Sequence, residues 1–227
     1  MEPMVLKTGT TTVGIVCKDG VVLASDKRAT AGNLIVDKKA QKIHKITDNI
    51  ALTTAGSVSD IQLMIKLTRA QLNLKELRTL RPSSVKEAVG LLSGMVYNNV
   101  RRMSMIPGIA HFIVGGTDTT GTYLYDLFPD GSLTEYHEYV TSGSGSVFAL
   151  GVLETLYDSS MNVEQGVDLA VKSISAALQR DNASGNGITI MTITKSGAKE
   201  YASEMIDTKI TLNGNTKITK KKTKKKE

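Results

Sequence analysis

The chain has 227 residues, of which 41% are hydrophobic and 22% charged, with 28 Lys and Arg against 22 Asp and Glu. This composition is typical of a globular domain that builds a sizeable core without metal or disulfide support. The single cysteine, Cys17, excludes an internal disulfide framework, and three widely separated histidines argue against a histidine metal site. No run of about 18 apolar residues is present, and the start MEPMVLKTG is too short and polar for a secretory signal, so we expect a cytoplasmic protein.

The net charge of +6 comes from the C-terminal segment. Residues 217–227 hold seven Lys and one Glu, so the other 216 residues carry 21 basic and 21 acidic groups. Such a run repels itself and lacks apolar residues, and we therefore expect the Lys-rich tail, residues 208–227, to be disordered. The positive charge is a property of the tail and not of the folded body.

Short strands and two helices are predicted for the first half. Apolar and β-branched runs, with Asp19-Gly20 as the first hairpin turn, predict strands at residues 11–17, 21–25, 33–36, 42–46 and 50–55. Apolar residues then recur every three or four positions over 58–72, which predicts an amphipathic helix capped by Ser57 or Ser59. Pro82 and the caps Ser83 and Ser84 begin a second helix, whose apolar stripe runs over 85–100.

The second half repeats this order. Strands are predicted at residues 110–115, 122–127 and 133–140, helices at 146–157 and 163–180, and a final strand pair at 187–194 and 199–203. Strands and helix pairs that alternate in this way differ from the strict βαβ order of a parallel fold. Hairpin-linked strands indicate mainly antiparallel sheets. We therefore expect one α+β domain, an αββα four-layer sandwich with two sheets between helix pairs.

The segment Gly9-Thr10-Thr11-Thr12 has two interpretations. It is an ordinary strand start, because threonine favours strands. It is also a cleavage site, where removal of residues 1–9 would make Thr10 the new N-terminus. Such a threonine carries a hydroxyl nucleophile and an α-amine that acts as its base, with an ordinary pKa of about 7.7–8. Gly9 suits cleavage because it has no β-carbon.

Motifs across the chain resemble one family. TTTVGI, VVLASDKR, QKIHKI and TTAGSVSD lie within residues 10–60, and IVGGTD, TSGSGS, GVLE and SAALQRDNASGNG follow in order. They resemble the catalytic β subunits of proteasome core particles of the archaeal type, over nearly all of residues 8–207. The resemblance implies the N-terminal-nucleophile hydrolase fold, a threonine endopeptidase, an autocatalytically removed propeptide over 1–9 and a protease domain over 10–207. It implies no metal and no cofactor.

The resemblance also implies roles for individual residues. Thr10 matches the nucleophile, Lys42 the catalytic lysine and Asp26 the acid that holds this lysine protonated. Without the resemblance, Lys42 would be interpreted as a solvated lysine on a strand, and Asp26 as a surface charge. A cation beside the threonine would favour the neutral amine and stabilise the hydroxyl as it loses its proton.

Three further polar residues and one glycine match the family. Asp181 and Ser184, which also suit a simple turn, are expected to hydrogen-bond the new terminus, and Ser144 resembles a third member of this shell. Gly56 matches the glycine whose backbone N–H stabilises the oxyanion. The stretch around Ser144 also resembles a phosphate-binding loop that opens a helix. It lacks the third glycine of such loops, and the strand context that they usually have is wrong here.

Substrate-binding residues are implied in the same way. Thr30 matches the threonine whose backbone pairs with extended substrate. The specificity pocket is expected to involve Ala29, Ala40, His44, Thr54 and Val58. These side chains are small or neutral, which favours uncharged or apolar residues before the scissile bond.

Partners and rival functions follow from the same features. The resemblance implies stacked seven-membered rings of β and α subunits, with unfolded polypeptides delivered by an ATP-driven regulatory particle. One rival is a non-catalytic, unprocessed ring subunit. Another is nucleic-acid or acidic-surface binding through the Lys-rich tail, which would weaken steeply with salt.

Overall fold

The computed structural model describes residues 9–104 and 108–206. Most of the expected propeptide and the whole Lys-rich tail therefore lie outside the described residues. The first half contains β1 Thr11–Cys17, β2 Gly20–Asp26, β3 Ala29–Ala31, β4 Leu34–Asp37, β5 Ile43–Lys45, β6 Ile50–Gly56, α1 Val58–Thr79 and α2 Val85–Arg101. The second half contains β7 Ala110–Asp118, β8 Gly121–Leu127, β9 Leu133–Tyr136, β10 Tyr139–Gly143, α3 Ser146–Leu156, α4 Val163–Arg180, β11 Gly187–Thr194 and β12 Gly197–Met205.

Ten of these strands form two antiparallel five-stranded sheets. The first sheet has the order β10-β1-β2-β11-β12, and the second has the order β5-β6-β7-β8-β9. The remaining strands, β3 and β4, form a separate antiparallel hairpin beside the sandwich. Every pairing is antiparallel, and short turns connect hairpins such as β1–β2 and β11–β12. The pairs β10–β1, β2–β11 and β6–β7 instead join strands that are far apart in the chain.

Two helix pairs cover the outer faces of the sheets. Helices α3 and α4 pack on the first sheet around Val13, Ile15 and Ile174, and α1 and α2 pack on the second sheet around Leu52 and Phe112. A third apolar cluster fills the space between the sheets. The expected four-layer αββα sandwich is confirmed.

Local sequence signals explain several boundaries. Helix α2 begins with a capping box, in which the Ser84 hydroxyl accepts the Glu87 N–H and the Glu87 carboxylate accepts the Ser84 N–H. Helix α4 begins with the equivalent box between Asn162 and Gln165. Ser57 precedes α1 but makes no side-chain cap, and α1 extends to Thr79, beyond the stripe that predicted it.

The predicted strand over 133–140 is wrong in one respect that matters for the site. It is two strands in different sheets: β9 pairs with β8 in the second sheet, and β10 pairs with β1 in the first. No Gly, Pro, Asn or Asp interrupts residues 133–140, so the sequence contains no turn signal where the chain crosses between the sheets at residues 137–138. This crossing delivers the end of β10 to the start of β1.

Candidate active site

Thr10 lies immediately before β1, an inner strand of the first sheet. The pairing of β1 with both β10 and β2 fixes its position, and Thr10 is only 6% exposed. Its hydroxyl donates to the Gly9 carbonyl oxygen at 2.6 Å. Its backbone N–H, which belongs to the intact Gly9–Thr10 peptide, donates to the Ser144 hydroxyl at 3.2 Å. The candidate nucleophile therefore contacts the carbonyl of the candidate cleavage site.

Asp26 and Lys42 form a buried ion pair beside this carbonyl. The Lys42 ammonium donates to Asp26 Oδ1 at 2.6 Å and to the Gly9 carbonyl oxygen at 3.4 Å. Asp26, at the end of β2, is fully buried and also accepts backbone N–H groups of Thr11, Arg28 and Gly185 at 3.0, 2.9 and 3.0 Å. These donors occupy both oxygens of the buried carboxylate and fix its orientation towards Lys42.

Burial changes the pKa of the lysine in this pair. Desolvation lowers the pKa of Lys42 below its usual range, and the carboxylates of Asp26 and Asp181 only partly oppose it. The sequence-based expectation considered only the attraction of Asp26. With burial included, the Lys42 ammonium releases its proton more readily than an exposed lysine does.

Ser144, Asp181 and Ser184 form one hydrogen-bonded cluster. The hydroxyls of Ser144 and Ser184 both lie 2.6 Å from Asp181 Oδ2, and Ser184 also contacts the Thr11 hydroxyl at 2.6 Å. Asp181, at the C-terminal end of α4, is thus linked to Thr10 through the Ser144 hydroxyl. Ser184 is linked to Thr11, the residue that follows Thr10. Direct bonds from Asp181 or Ser184 to Thr10 are not formed in the uncleaved chain, because its peptide N–H has a single proton, given to Ser144.

Gly9 is also held by contacts with Thr30 and Ala183. Its N–H donates to the Thr30 hydroxyl at 3.0 Å. A β-carbon built on Gly9 would lie 1.7 Å from the Ala183 β-carbon, far inside van der Waals contact. The Arg28 guanidinium fastens the loop that carries Ala183, with bonds of 2.8 Å to both the Asn186 side chain and the Asn182 carbonyl.

A cavity of about 450 Å³ opens beside Thr10. It is lined by Gly9, Thr10, Lys42 and Gly56 and by all six expected substrate-binding residues, Ala29, Thr30, Ala40, His44, Thr54 and Val58. Burial and the nearby Arg69 lower the pKa of His44, which favours the neutral imidazole. Sequence reasoning missed further lining residues, among them Gln41, Gln62 and Asp37, the one carboxylate among the residues that line this cavity.

Gly56 ends β6 at the wall of the cavity. Its φ of +120° lies in the region that favours glycine, and a β-carbon there would lie 2.3 Å from the Ile109 carbonyl oxygen. The Ser57 N–H donates to the same oxygen at 2.7 Å, which fixes the backbone as it leaves the strand. The position therefore requires glycine because of both its backbone angle and its close contact.

Residues 9–104 and 108–206 contain neither a candidate metal cluster nor a helix that could span a membrane. Within these ranges, no cluster of three His, Cys, Asp or Glu side chains is placed to hold a metal ion. Helices long and apolar enough to cross a lipid bilayer are likewise missing from the described part of the chain.

Fold and site together define a class of protein. The four-layer αββα sandwich is the fold of N-terminal-nucleophile hydrolases, and Thr10 lies at the start of one of its inner strands, with the buried Lys42 on the neighbouring Gly9 carbonyl. The proteasome subunit family model matches residues 6–193. This chain belongs to the proteasome subunit family.

Individual relatives support the same assignment. A proteasome subunit beta of Methanocaldococcus vulcanius is 44% identical over 216 residues, which cover 95% of this chain and 95% of that protein. A proteasome subunit beta of Ferroglobus placidus is 45% identical over 88% of this chain and 93% of its own length. That of Methanococcus aeolicus is 46% identical over 88% and 90%. The resemblance to β subunits of the archaeal type is confirmed.

Proposed function

We propose that this chain is a catalytic β subunit of a proteasome core particle, a threonine endopeptidase that hydrolyses unfolded polypeptides. The observation that carries the proposal is the pair of donors on the Gly9 carbonyl oxygen, namely the Thr10 hydroxyl at 2.6 Å and the Lys42 ammonium at 3.4 Å. A carbonyl between a nucleophile and a cation is prepared for attack, because the cation stabilises the oxyanion that forms.

The first reaction is removal of residues 1–9. The Thr10 hydroxyl oxygen attacks the Gly9 carbonyl carbon, and the oxyanion is stabilised by Lys42. The Gly9–Thr10 C–N bond then breaks and the nitrogen takes the hydroxyl proton, which leaves an ester on Thr10 and a free α-amine. Water hydrolyses the ester and releases the propeptide, so that the domain over 10–207 begins with Thr10.

The mature reaction uses the new amine. The α-amine has an ordinary pKa of about 7.7–8, and the nearby Lys42 cation lowers that pKa, so that the neutral amine takes the hydroxyl proton near pH 7, directly or through water. Thr10 Oγ1 attacks the substrate carbonyl, and the Gly56 N–H stabilises the oxyanion. The proton passes to the leaving amine, and water then hydrolyses the acyl ester. Asp26 orients Lys42, and Ser144, with Asp181 and Ser184 behind it, orients the amine.

Substrate would lie in the cavity beside Thr10. The Gly9 N–H is already bound by Thr30, and an extended peptide would occupy the same place with its backbone along that residue. Ala29, Ala40, Thr54 and Val58 give the pocket an apolar or uncharged preference, with His44 neutral. Asp37 at its wall adds one negative charge that an apolar-only preference did not include.

Assembly and location complete the proposal. The chain would occupy stacked seven-membered β rings capped by α-subunit rings, with substrates supplied by an ATP-driven regulatory particle in the cytoplasm. Residues 1–216, with 21 basic and 21 acidic groups, are neutral enough to bury large faces against neighbouring subunits. The Lys-rich tail has no assigned part in this assembly.

The rival is a ring subunit that is never cleaved. The simultaneous presence of Gly9, Thr10, Asp26 and Lys42 in one hydrogen-bonded group favours catalysis over that reading.

Substitution of the nucleophile distinguishes the two. Particles assembled with this chain as their only β subunit are made with wild type, Thr10→Ala and the exposed control Thr134→Ala. Thr10→Ala should assemble, retain residues 1–9 by intact mass and show no peptidase activity, whereas Thr134→Ala should match wild type. Peptidase activity in Thr10→Ala particles, or wild-type particles that keep residues 1–9, would overturn the proposal.

A further inference from the structure

Three polar side chains near the site have no part in the proposed chemistry. His111 Nε2 lies 2.6 Å from Asp126 Oδ1, and His111 Nδ1 lies 2.7 Å from the Ser142 hydroxyl. The Phe128 ring stacks on the imidazole with centroids 5.0 Å apart. We call His111, Asp126 and Ser142 the inter-sheet cluster.

The inter-sheet cluster joins the two sheets across the sandwich. His111 and Asp126 lie on β7 and β8 of the second sheet, and Ser142 lies on β10 of the first. The side chains of Asp126 and Ser142 are almost completely buried, and that of His111 is 17% exposed. Hydrogen bonds of buried groups such as Asp126 and Ser142 hold their geometry, because leaving such a group unpaired is costly.

The two ends of the inter-sheet cluster lie beside two walls of the active site, which we call the Gly56 wall and the Thr10–Ser144 wall after the residues that form them. On β7, the neighbour of His111 is Ala110, which pairs in register with the oxyanion candidate Gly56. On β10, Ser142 is followed by Gly143, which pairs with Thr11. Next comes Ser144, which accepts the Thr10 N–H.

The contact at Gly143 is especially close. Its φ is +94°, and a β-carbon there would lie 2.0 Å from the Thr10 carbonyl oxygen. Any shift of β10 would therefore be transmitted directly to Thr10. Movement of β7 would likewise reach Gly56 through the Ile109 carbonyl.

A second nucleophilic site is the obvious alternative for serine, histidine and aspartate in contact. Ser142 is only 3% exposed and points between the sheets. A peptide carbonyl has no path to its hydroxyl, and nucleophilic catalysis requires such contact.

We propose that the inter-sheet cluster positions the active site by fixing the separation between the Gly56 wall and the Thr10–Ser144 wall. This rests on the proposed function, since it concerns the geometry of that reaction. Both ring nitrogens of His111 are engaged, Nε2 by the Asp126 carboxylate at 2.6 Å and Nδ1 by the Ser142 hydroxyl at 2.7 Å, so the imidazole links one sheet to the other. Each of the three side chains thereby has a definite role, and the sheets are held at one spacing.

Kinetics of assembled mature particles test the proposal. His111→Phe keeps a flat ring but removes both hydrogen bonds, and Ser142→Ala removes only the hydroxyl that bridges the sheets. His111→Gln restores a donor and an acceptor, and His137→Phe is a control at an exposed histidine. A small misplacement of reacting groups can cost about a hundredfold in rate, so we expect kcat to fall about 10- to 100-fold in the first two variants. KM should stay within about twofold, and His111→Gln should recover most of kcat.

Several outcomes would overturn the proposal. Unchanged kcat in both His111→Phe and Ser142→Ala would do so, as would a loss that appears only in KM. If His111→Phe fails to assemble, Ser142→Ala gives the answer, because it removes one buried oxygen. Wild-type particles without activity would refute the proposed function itself, which keeps the two failures distinguishable.

Discussion

The α-carbon of Gly9 packs so closely against Ala183 that a β-carbon on residue 9 would lie 1.7 Å from the Ala183 β-carbon. Ala183 lies between Asp181 and Ser184, and its own N–H is bonded to Asp181 at 3.1 Å. The loop that carries the polar cluster therefore also forms the wall against the candidate cleavage site. Residue 9 is required to be glycine by packing as well as by reactivity.

Gly9→Ala is expected to slow or stop removal of residues 1–9. The added methyl cannot fit unless the Gly9 carbonyl moves away from Lys42 and the Thr10 hydroxyl. Intact mass over a time course of assembly should show precursor in Gly9→Ala particles when wild type is fully processed.

The control is the double variant Gly9→Ala with Ala183→Gly. It removes the 1.7 Å clash but leaves Ala183 backbone atoms at 2.7 and 2.9 Å, so processing should recover only in part. Equal rates in the single and double variants would show that packing against Ala183 is not the cause.

Gly56→Ala is expected to abolish most of the activity of mature particles. The substitution places a β-carbon 2.3 Å from the Ile109 carbonyl oxygen at a φ of +120°, which turns the backbone N–H away from its place. Loss of one oxyanion donor costs about 10²–10³ in kcat. Gly90→Ala, at an open helical position, is the matched control and should leave peptidase rates unchanged. Similar rates in all three proteins would contradict the assigned role.

Asp26→Asn is expected to damage both chemistry and stability. The carboxylate accepts four donors, and an amide offers one oxygen where two are used. Removing one charge from a buried pair costs about 3–5 kcal/mol, and loss of a positioned proton donor or cation costs about 10²-fold or more in rate. Peptidase assays and thermal unfolding of the particles measure both effects.

Asp48→Asn provides the comparison for this substitution. It breaks the exposed pair between Lys45 and Asp48, whose atoms are as close, at 2.7 Å. Solvent screens that pair, so activity and unfolding temperature should not change. A change of equal size in the two variants would mean that burial is not what matters.

Cys17 should act as a reporter of unfolding. Burial, with a smaller effect of Asp19, raises the pKa of its thiol from 9.0 to about 12. Because the unfolded thiol ionises near its ordinary pKa, the free energy of unfolding falls as pH rises from about 9 towards 12. A thiol reagent at pH 8 should leave native particles unlabelled and label one site per chain after denaturation. Rapid labelling of native particles would contradict this prediction, because it would show that the Cys17 thiol at the end of β1 is accessible to solvent in the folded protein.

The sequence predicted the chemistry of the site better than its geometry. Motifs around Thr10, Asp26 and Lys42 were sufficient to nominate residues of one hydrogen-bonded group, in which Lys42 donates to Asp26 and both Lys42 and Thr10 donate to the Gly9 carbonyl oxygen. The chain could not show that Ser184 meets Thr11, or that burial lowers the pKa of Lys42, because both depend on what packs around them. Asp37 was missed because an exposed hairpin residue carries no local signal of a cavity.

Two features of this protein were therefore decided at different levels. Composition separated a neutral body from the Lys-rich tail, and periodicity with turn residues determined the number and order of most strands and helices, since these are local properties. Only the tertiary structure decided that residues 133–140 divide between two sheets, because the residue pattern of a strand does not show which strand it pairs with. That division places Ser142, Gly143 and Ser144 against β1 and His111 against Ser142, contacts between residues far apart in the chain that only the packed sandwich brings together.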